Sequence, residues 1–210
     1  MRVLIADDHA VVRRGLEQIL ADAFEEIEVG EATNAEEAIE RADREEWDVV
    51  ILDISMPGRS GLDALKEIRK GKATLPVLIL SIYPEDQFAT RALKAGASGY
   101  MTKESAPEEL VNAIHKVMSG GKYVSAALGE KLAADLEKDR AGVPPHQRLS
   151  DREYEVLLLI ASGHTISEIA NKFSLSVKTI STYRARILEK TGLKSNADLV
   201  RYAIAHGLID

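Results

Sequence analysis

The sequence predicts two domains of different class: an α/β domain built on a doubly wound, five-stranded parallel sheet, then a small all-α domain. Three observations carry this. Over residues 1–122, five short apolar runs alternate with five segments of helical period, the pattern of a parallel sheet with helices on both faces. Two of those runs, residues 49–52 and 76–80, are apolar without interruption, as strands buried on both faces require. From residue 148 onward the period is helical throughout.

In chain order, residues 2–6 form the first strand, which stops at Asp7-Asp8. Val11, Val12, Leu16, Ile19 and Leu20 then recur at helical spacing, and residues 28–32 make a weak strand. Asn34 with Glu37 reads as a capping box that starts a helix reaching residue 45. The strand from residue 49 meets a carboxylate, Asp53, and then Pro57 and Gly58. Ser60 caps a helix over 61–70, and the strand 76–80 ends at Ser81. A helix over 85–95 has Gly96 as its C-terminal glycine. A short strand over 98–101 ends near Lys103, and a helix over 107–118 is stopped by Gly120-Gly121.

Residues 123–147 connect the halves. Leu128, Leu132, Ala133 and Leu136 mark an amphipathic helix to residue 139, which Pro144-Pro145 terminates. The tail, 148–210, opens with a capping box, Ser150 and Glu153, and with Leu149 placed to staple against Tyr154. That helix ends at Gly163. A second spans 166–173, a tight turn follows at 174–176, a third spans 177–191 before Gly192, and a fourth spans 196–206. A short helix, a tight turn and a longer basic helix form the helix-turn-helix pattern.

Composition narrows the function classes. Hydrophobic residues make up 45% and charged residues 29% of the 210, which is ordinary for a globular chain. The absence of cysteine excludes disulfides, thiolate metal sites and cysteine nucleophiles, and fits a reducing cytoplasm. The N-terminus reaches Asp7 after a handful of apolar residues, so no signal peptide is expected. The longest uncharged runs, 73–84 and 156–167, are too short to span a bilayer, so no membrane role is expected. Residues 1–125 hold 15 Lys and Arg against 23 Asp and Glu; residues 126–210 hold 12 against 11. Five basic residues and one acidic lie between Lys178 and Lys194. An acidic front half and a locally basic segment behind it point to different partners for the two domains.

Ligands in open α/β sheets bind beyond the carboxyl ends of the strands. Four strand ends carry polar groups there: Asp7-Asp8, Asp53, Ser81 and Lys103. If the first and third strands are neighbours, three acids converge. Like charges 4 Å apart repel by about 4 kcal/mol per pair at an effective dielectric near 20, so the arrangement needs a cation. An all-oxygen set with open positions suits Mg2+, which bridges carboxylates and a phosphate. Asp53 is then the candidate phosphoryl acceptor and Asp7 and Asp8 metal ligands, with the Ser55 backbone carbonyl completing the shell. Lys103 supplies positive charge to the phosphate, and Ser81 a hydroxyl. Read alone, Asp53 is equally a turn or cap residue, Ser81 a loop hydroxyl and Lys103 a solvated cation; the set carries the reading.

Asp7-Asp8, Asp53, Met56-Pro57, Gly61, Ser81, Tyr100 and Lys103 resemble the receiver domain of two-component response regulators over residues 1–122. The resemblance implies a flavodoxin-like fold, Asp53 phosphorylated from a histidine kinase, and Mg2+ on Asp7, Asp8 and Asp53. It also implies a switch in which Ser81 moves toward the phosphate and Tyr100 turns inward. Ser55 and Tyr83 stand where such domains tune the lifetime of the phosphoryl group.

In the third helix of the tail, Tyr183, Ile187 and Leu188 fall within about a quarter turn of Ile180 at 3.6 residues per turn. Lys178, Ser181, Thr182, Ala185, Arg186 and Glu189 point the other way. That outer face suits a major groove. Lys178, Arg186 and Lys190 contact phosphates, Ser181 and Thr182 base edges, and Ala185 a thymine methyl, with Thr179 counted in the same set. Arg184 lies near the buried side and is placed to pair with Glu153 or Glu155. The segments Leu149 to Glu153, Ile169-Ala170, Ser176 to Ile180 and the residues 203–208 resemble the LuxR-type DNA-binding domain. With the receiver, the whole chain is similar to the NarL/FixJ class of response regulators: regulators of transcription that bind double-stranded DNA. The resemblance implies homodimers when phosphorylated, with the helix 196–206 as a contact, and no enzyme activity beyond Mg2+-dependent phosphorylation and dephosphorylation of the chain itself.

Three rival readings compete with this one. A haloacid-dehalogenase phosphatase needs a second aspartate two residues after its nucleophile, where this chain has Ser55. A flavin or nucleotide site wants glycines and hydroxyls after the first strand, where Asp7-Asp8 repel phosphate. The third keeps the receiver but makes the output a protein- or RNA-binding module, which DNA footprinting separates from a DNA-binding domain.

Overall fold

The computed structural model describes residues 1–130 and 144–209. The chain divides into two compact units, Met1–Glu137 and Lys138–Asp210.

The first unit holds β1 (Arg2–Ala6), α1 (Ala10–Ala23), β2 (Glu28–Ala32), α2 (Ala35–Arg44), β3 (Val49–Asp53), α3 (Gly61–Gly71), β4 (Val77–Ser81), α4 (Glu85–Lys94), β5 (Gly99–Thr102) and α5 (Ala106–Met118). All strand pairs are parallel, in the order β2-β1-β3-β4-β5. Chain order reverses beside β1, so the crevice of a doubly wound sheet opens between β1 and β3. Every residue of β3 and β4 is buried, as their unbroken apolar runs foretold. Val3, Ile5, Val49, Ile51, Leu78 and Leu80 pack with Leu16 and Leu20 of α1 and with Leu110, Ala113 and Ile114 of α5. Each such Val, Leu or Ile side chain contributes about 1.5–3 kcal/mol by leaving water.

Local signals hold with small shifts. Ser60 caps α3 by accepting from the Leu62 N–H, and Gly96 takes φ 102° after α4. Asn34 caps α2 by accepting from the Glu37 N–H. The reciprocal half of that box differs from expectation: the Glu37 carboxylate reaches past Asn34 to the backbone and hydroxyl of Thr33, at 2.7 and 2.8 Å.

Beyond α5 the chain returns to the sheet. Tyr123 pairs parallel with Gly99 at the outer edge of β5, donating to the Ser98 carbonyl and accepting from the Tyr100 N–H. A side chain at position 99 would meet Tyr123 at 2.8 Å, hence the glycine. Residues 126–130 are helical, Ser125 accepts from the Leu128 N–H, and Leu128 is buried. Leu132, Ala133 and Leu136 of the expected linker helix lie outside the described residues.

In the second unit a 3-10 turn, Pro145–Arg148, leads into α6 (Asp151–Ala161), α7 (Ile166–Lys172), α8 (Val177–Thr191) and α9 (Asn196–Ala205). All eleven residues of α6 are buried, and α7, α8 and α9 all pack against it. The expected box at Ser150 and Glu153 is present, and a second one, at Thr165 and Glu168, starts α7. Leu149 and Tyr154 are both buried. The tight turn before α8 places Ser174 at φ 53°, a left-handed conformation that costs a non-glycine residue about 1–2 kcal/mol. Gly192 closes α8 at φ 72°.

Candidate functional sites in the two units

Register brings the first site together. Ala6 lies opposite Leu52, so Asp7 and Asp53 come next at one level on neighbouring strands. Ser81 lies opposite Thr102, so Lys103 follows at the same end of the sheet. The first turn of α3 seats directly on β3: the Gly61 N–H donates to the Ile54 carbonyl at 2.9 Å, and a Cβ on Gly61 would stand 1.8 Å from the Asp53 carbonyl oxygen. Only glycine allows that approach, and it fixes the backbone that carries Asp53.

Asp7, Asp8, His9 and Asp53 each offer a ligand atom within 4.8 Å of all the others. Lys103 Nζ donates to Asp53 Oδ2 at 2.8 Å and lies 2.6 Å from Asp7 Oδ2. The Ser55 N–H donates to Asp53 Oδ1 at 3.2 Å. Asp7 and Asp53 are both 1% exposed. Burial pushes the Asp53 carboxyl above its ordinary range; Lys103 opposes the rise and the neighbouring Asp7 charge adds to it. Burial alone would lower the Lys103 ammonium, but Asp53 and Asp7 outweigh it and raise it.

These residues fit a hard divalent cation. Asp7 Oδ2 and Asp8 Oδ1 are buried yet accept no well-aligned hydrogen bond, although Lys103 and His9 lie within ion-pair reach of them. One lysine against three acids leaves negative charge in excess, and the donors are carboxylate oxygens.

Two supporting residues were not foreseen. His9 Nδ1 lies 2.8 Å from Asp8 and 3.2 Å from Asp7, and the His9 backbone N–H donates to Asp7 Oδ1 at 2.8 Å. Its adjacency to the acid pair was the available signal. Arg13, buried on α1, donates to the Asp7 carbonyl at 2.8 Å and pairs with Glu31 at 2.6 Å. Nothing local in the sequence separates it from Arg14. Ser81 is fully buried and its hydroxyl accepts from the Tyr83 N–H at 3.1 Å. Tyr100 is also fully buried; its hydroxyl donates to the Tyr83 carbonyl at 2.8 Å, and burial raises its pKa. Ser55 is half-buried, with its hydroxyl 3.4 Å from that of Tyr83.

The second site is a helix face. On α8, Ile180 and Ile187 are buried, whereas Lys178, Ser181, Thr182, Ala185, Arg186 and Glu189 are exposed. Among the described residues no ion pair engages Lys178 or Arg186. Thr179 is half-buried, with its hydroxyl 2.8 Å from the capping Ser176. Thr182 donates back to the Lys178 carbonyl at 3.0 Å.

Two expectations on α8 meet different partners. Arg184 does not reach Glu153 or Glu155; it donates to Asn196 at 2.6 Å, because Glu155 is taken by Arg152 at 2.8 Å. Glu153 is taken by Lys190 at 2.6 Å. Lys190, expected on a phosphate, has its ammonium turned inward in this structure.

Comparison with known proteins agrees with this geometry. Residues 3–115 match the response regulator receiver domain family, and residues 147–203 match the bacterial regulatory proteins of the luxR family. The chain is similar to the response regulator GacA of Pseudomonas aeruginosa, at 38% identity over 210 residues covering all of this chain and 98% of GacA. Among solved structures it resembles RcsB from Salmonella enterica serovar Typhimurium bound to promoter rprA in the presence of the phosphomimetic BeF3−. There the identity is 30%, the coverage 96% of this chain and 97% of that one, and the TM-score 0.65. It also resembles a structure of two RcsB dimers bound to two parallel DNAs, at 29% identity, 96% and 97% coverage and TM-score 0.58.

Proposed function

The chain belongs to the two-component response regulators of the NarL/FixJ class, with a receiver domain and a LuxR-type DNA-binding domain, and from that premise we propose that Asp53 is its phosphoacceptor. The phosphoryl donor is a histidine kinase, and transcription is the output. Residues 1–122 act as the receiver, 123–147 as the linker and 148–210 as the DNA-binding domain. No helix among the described residues is long and apolar enough to cross a membrane, and the proposed place of action is the cytoplasm, where DNA and a kinase's phosphorylated domain are both within reach.

The observation that carries the reading is the convergence of Asp7, Asp8 and Asp53 within 4.8 Å, with Lys103 held 2.8 Å from Asp53. An Asp53 carboxylate oxygen attacks the incoming phosphorus; the new P–O bond forms as the donor's bond to phosphorus breaks, and the electron pair leaves with the donor. Asp7, Asp8 and Asp53, with the Ser55 carbonyl, would hold Mg2+, which when bound neutralises charge on the transferring oxygens. Lys103, positively charged at neutral pH, exchanges its contact with Asp53 for the phosphoryl oxygens. The Ser81 hydroxyl offers them a hydrogen bond once it leaves the Tyr83 N–H, and Tyr100, whose hydroxyl bonds the Tyr83 carbonyl, responds to that movement. The chain's own chemistry is confined to gaining and losing this phosphoryl group.

Lys178 and Arg186 neutralise DNA phosphates, while Ser181, Thr182 and Ala185 face base edges, with Thr179 at their margin. RcsB dimers on DNA support a homodimeric arrangement; in our reading α9 is its contact and each half-site receives one α8. Incubation with labelled acetyl phosphate tests the first step: Asp53→Asn abolishes incorporation, and persistent labelling at wild-type level moves the acceptor elsewhere.

A further inference from the structure

The second unit contains a bolt that joins its first helix to the groove-facing one. Glu153 is 2% exposed and performs two tasks. Its carboxylate accepts from the Ser150 N–H at 2.8 Å, completing the capping box that starts α6, and accepts from Lys190 Nζ at 2.6 Å near the end of α8. Burial opposes the charge on Glu153, but Lys190 and the Ser150 backbone outweigh it and hold its pKa below the ordinary range. The Lys190 side chain is 40% exposed, so its stem lies along the surface while its ammonium faces α6. Around this pair, α6 carries the other buried charges: Arg152 bonds Glu155 at 2.8 Å and its guanidinium lies 4.0 Å over the Phe173 ring at the end of α7.

From this we infer that Lys190 is a positioning residue which, through Glu153, sets how α8 is presented to DNA, and that it is not a phosphate contact. A helix in the major groove is read along its length, so a small swing about its N-terminal end displaces Ala185 and Arg186 from their targets. The N-terminus of α8 is fixed by Ser176 and by the turn at Ser174. Its far end is where an electrostatic tie has the most leverage. The inference rests on the DNA-binding reading of α8.

The test uses the full chain and a duplex that the wild-type protein selects from a random pool, with affinity measured across a salt series. Glu153→Gln keeps an acceptor for the Ser150 N–H and removes the charge; Lys190→Met keeps the stem and removes the ammonium. Each binds about ten-fold more weakly, the equivalent of about 1.4 kcal/mol, with an unchanged salt slope. The double variant binds no worse than either single one, and Lys190→Arg restores binding. Lys178→Ala serves as the phosphate-contact control and lowers the slope by about 1. A slope lowered by about 1 in Lys190→Met, with Glu153→Gln unaffected, overturns the inference and returns Lys190 to the phosphates. So does full affinity in both variants. Thermal melting of each variant identifies any weak binding that comes from unfolding, and Glu153→Gln is the informative one if Lys190→Met melts. If the wild-type protein selects no duplex, the DNA reading fails and takes the inference with it; if only the Lys190 result fails, the reading survives.

Discussion

The two units bury charge in opposite ways. In the first, Asp7 and Asp53 are buried against Lys103, with Asp8 beside them, and the acids outnumber the lysine. In the second, Arg152 answers Glu155 and Lys190 answers Glu153, so these two acids each have a cation of their own. A matched pair has nothing left to recruit, so it holds helices in place. An unmatched cluster is held by its fold in a state of excess charge, and what relieves that excess is the ligand it was built for. The contrast separates architecture from chemistry among residues of one type.

Three measurements sharpen or break that contrast. The largest effect belongs to the matched side. Glu155→Ala leaves Arg152 buried without its partner and costs about 3–5 kcal/mol, read as lost hydrogen-exchange protection over residues 151–205 with the sheet unaffected. Near-neutral behaviour would mean that the pair does not hold the helices. Next, Mg2+ at a hundred times its Kd stabilises the first unit by about 2.7 kcal/mol, and Asp8→Asn cancels most of that gain. A melting temperature indifferent to Mg2+ in the wild type would refute the unmatched cluster as a cation site.

The smallest effect is a difference in sign. Burial raises the Asp53 pKa, so without metal its contribution to stability is fullest below the ordinary carboxylate range and is lost as pH rises through the raised value. At neutral pH the charge is a burden, and Asp53→Asn in metal-free buffer stabilises the first unit. Glu153 is depressed, so its contribution is present above the ordinary glutamate range and lost as pH falls through the lowered value. Glu153→Gln therefore destabilises at neutral pH, and the two melting temperatures move in opposite directions. Movement in the same direction would dissolve the distinction.

Much of this was legible in the chain. Continuous apolar runs that end on a carboxylate and on a hydroxyl identified β3 and β4 and placed Asp53 and Ser81 at one end of the sheet, with Lys103 following the shorter β5. Gly96, Gly192 and Ser60 ended or began helices where their conformational and capping preferences put them. Partners brought together by folding were not legible. Arg13 on the Asp7 carbonyl, Arg184 on Asn196 and Lys190 on Glu153 join residues 6, 12 and 37 positions apart. A helical wheel tells which face a long cation leaves from, but not where a flexible stem ends. Glu37 shows the same limit at short range: Thr33 offered both a hydroxyl and a backbone N–H one residue before the expected cap, and the carboxylate took both.

The pairing of Tyr123 with Gly99 has a consequence for solubility. An open β-edge is a template on which other chains can add strands. At the β2 side, Glu28 and Glu31 put acidic side chains along the rim. At the β5 side the protection comes from the departing chain itself, which lays residue 123 over the rim before leaving. A protein cut just before that residue would keep its five strands but bare the Tyr100 N–H and the Ser98 carbonyl at the rim, and would be expected to self-associate.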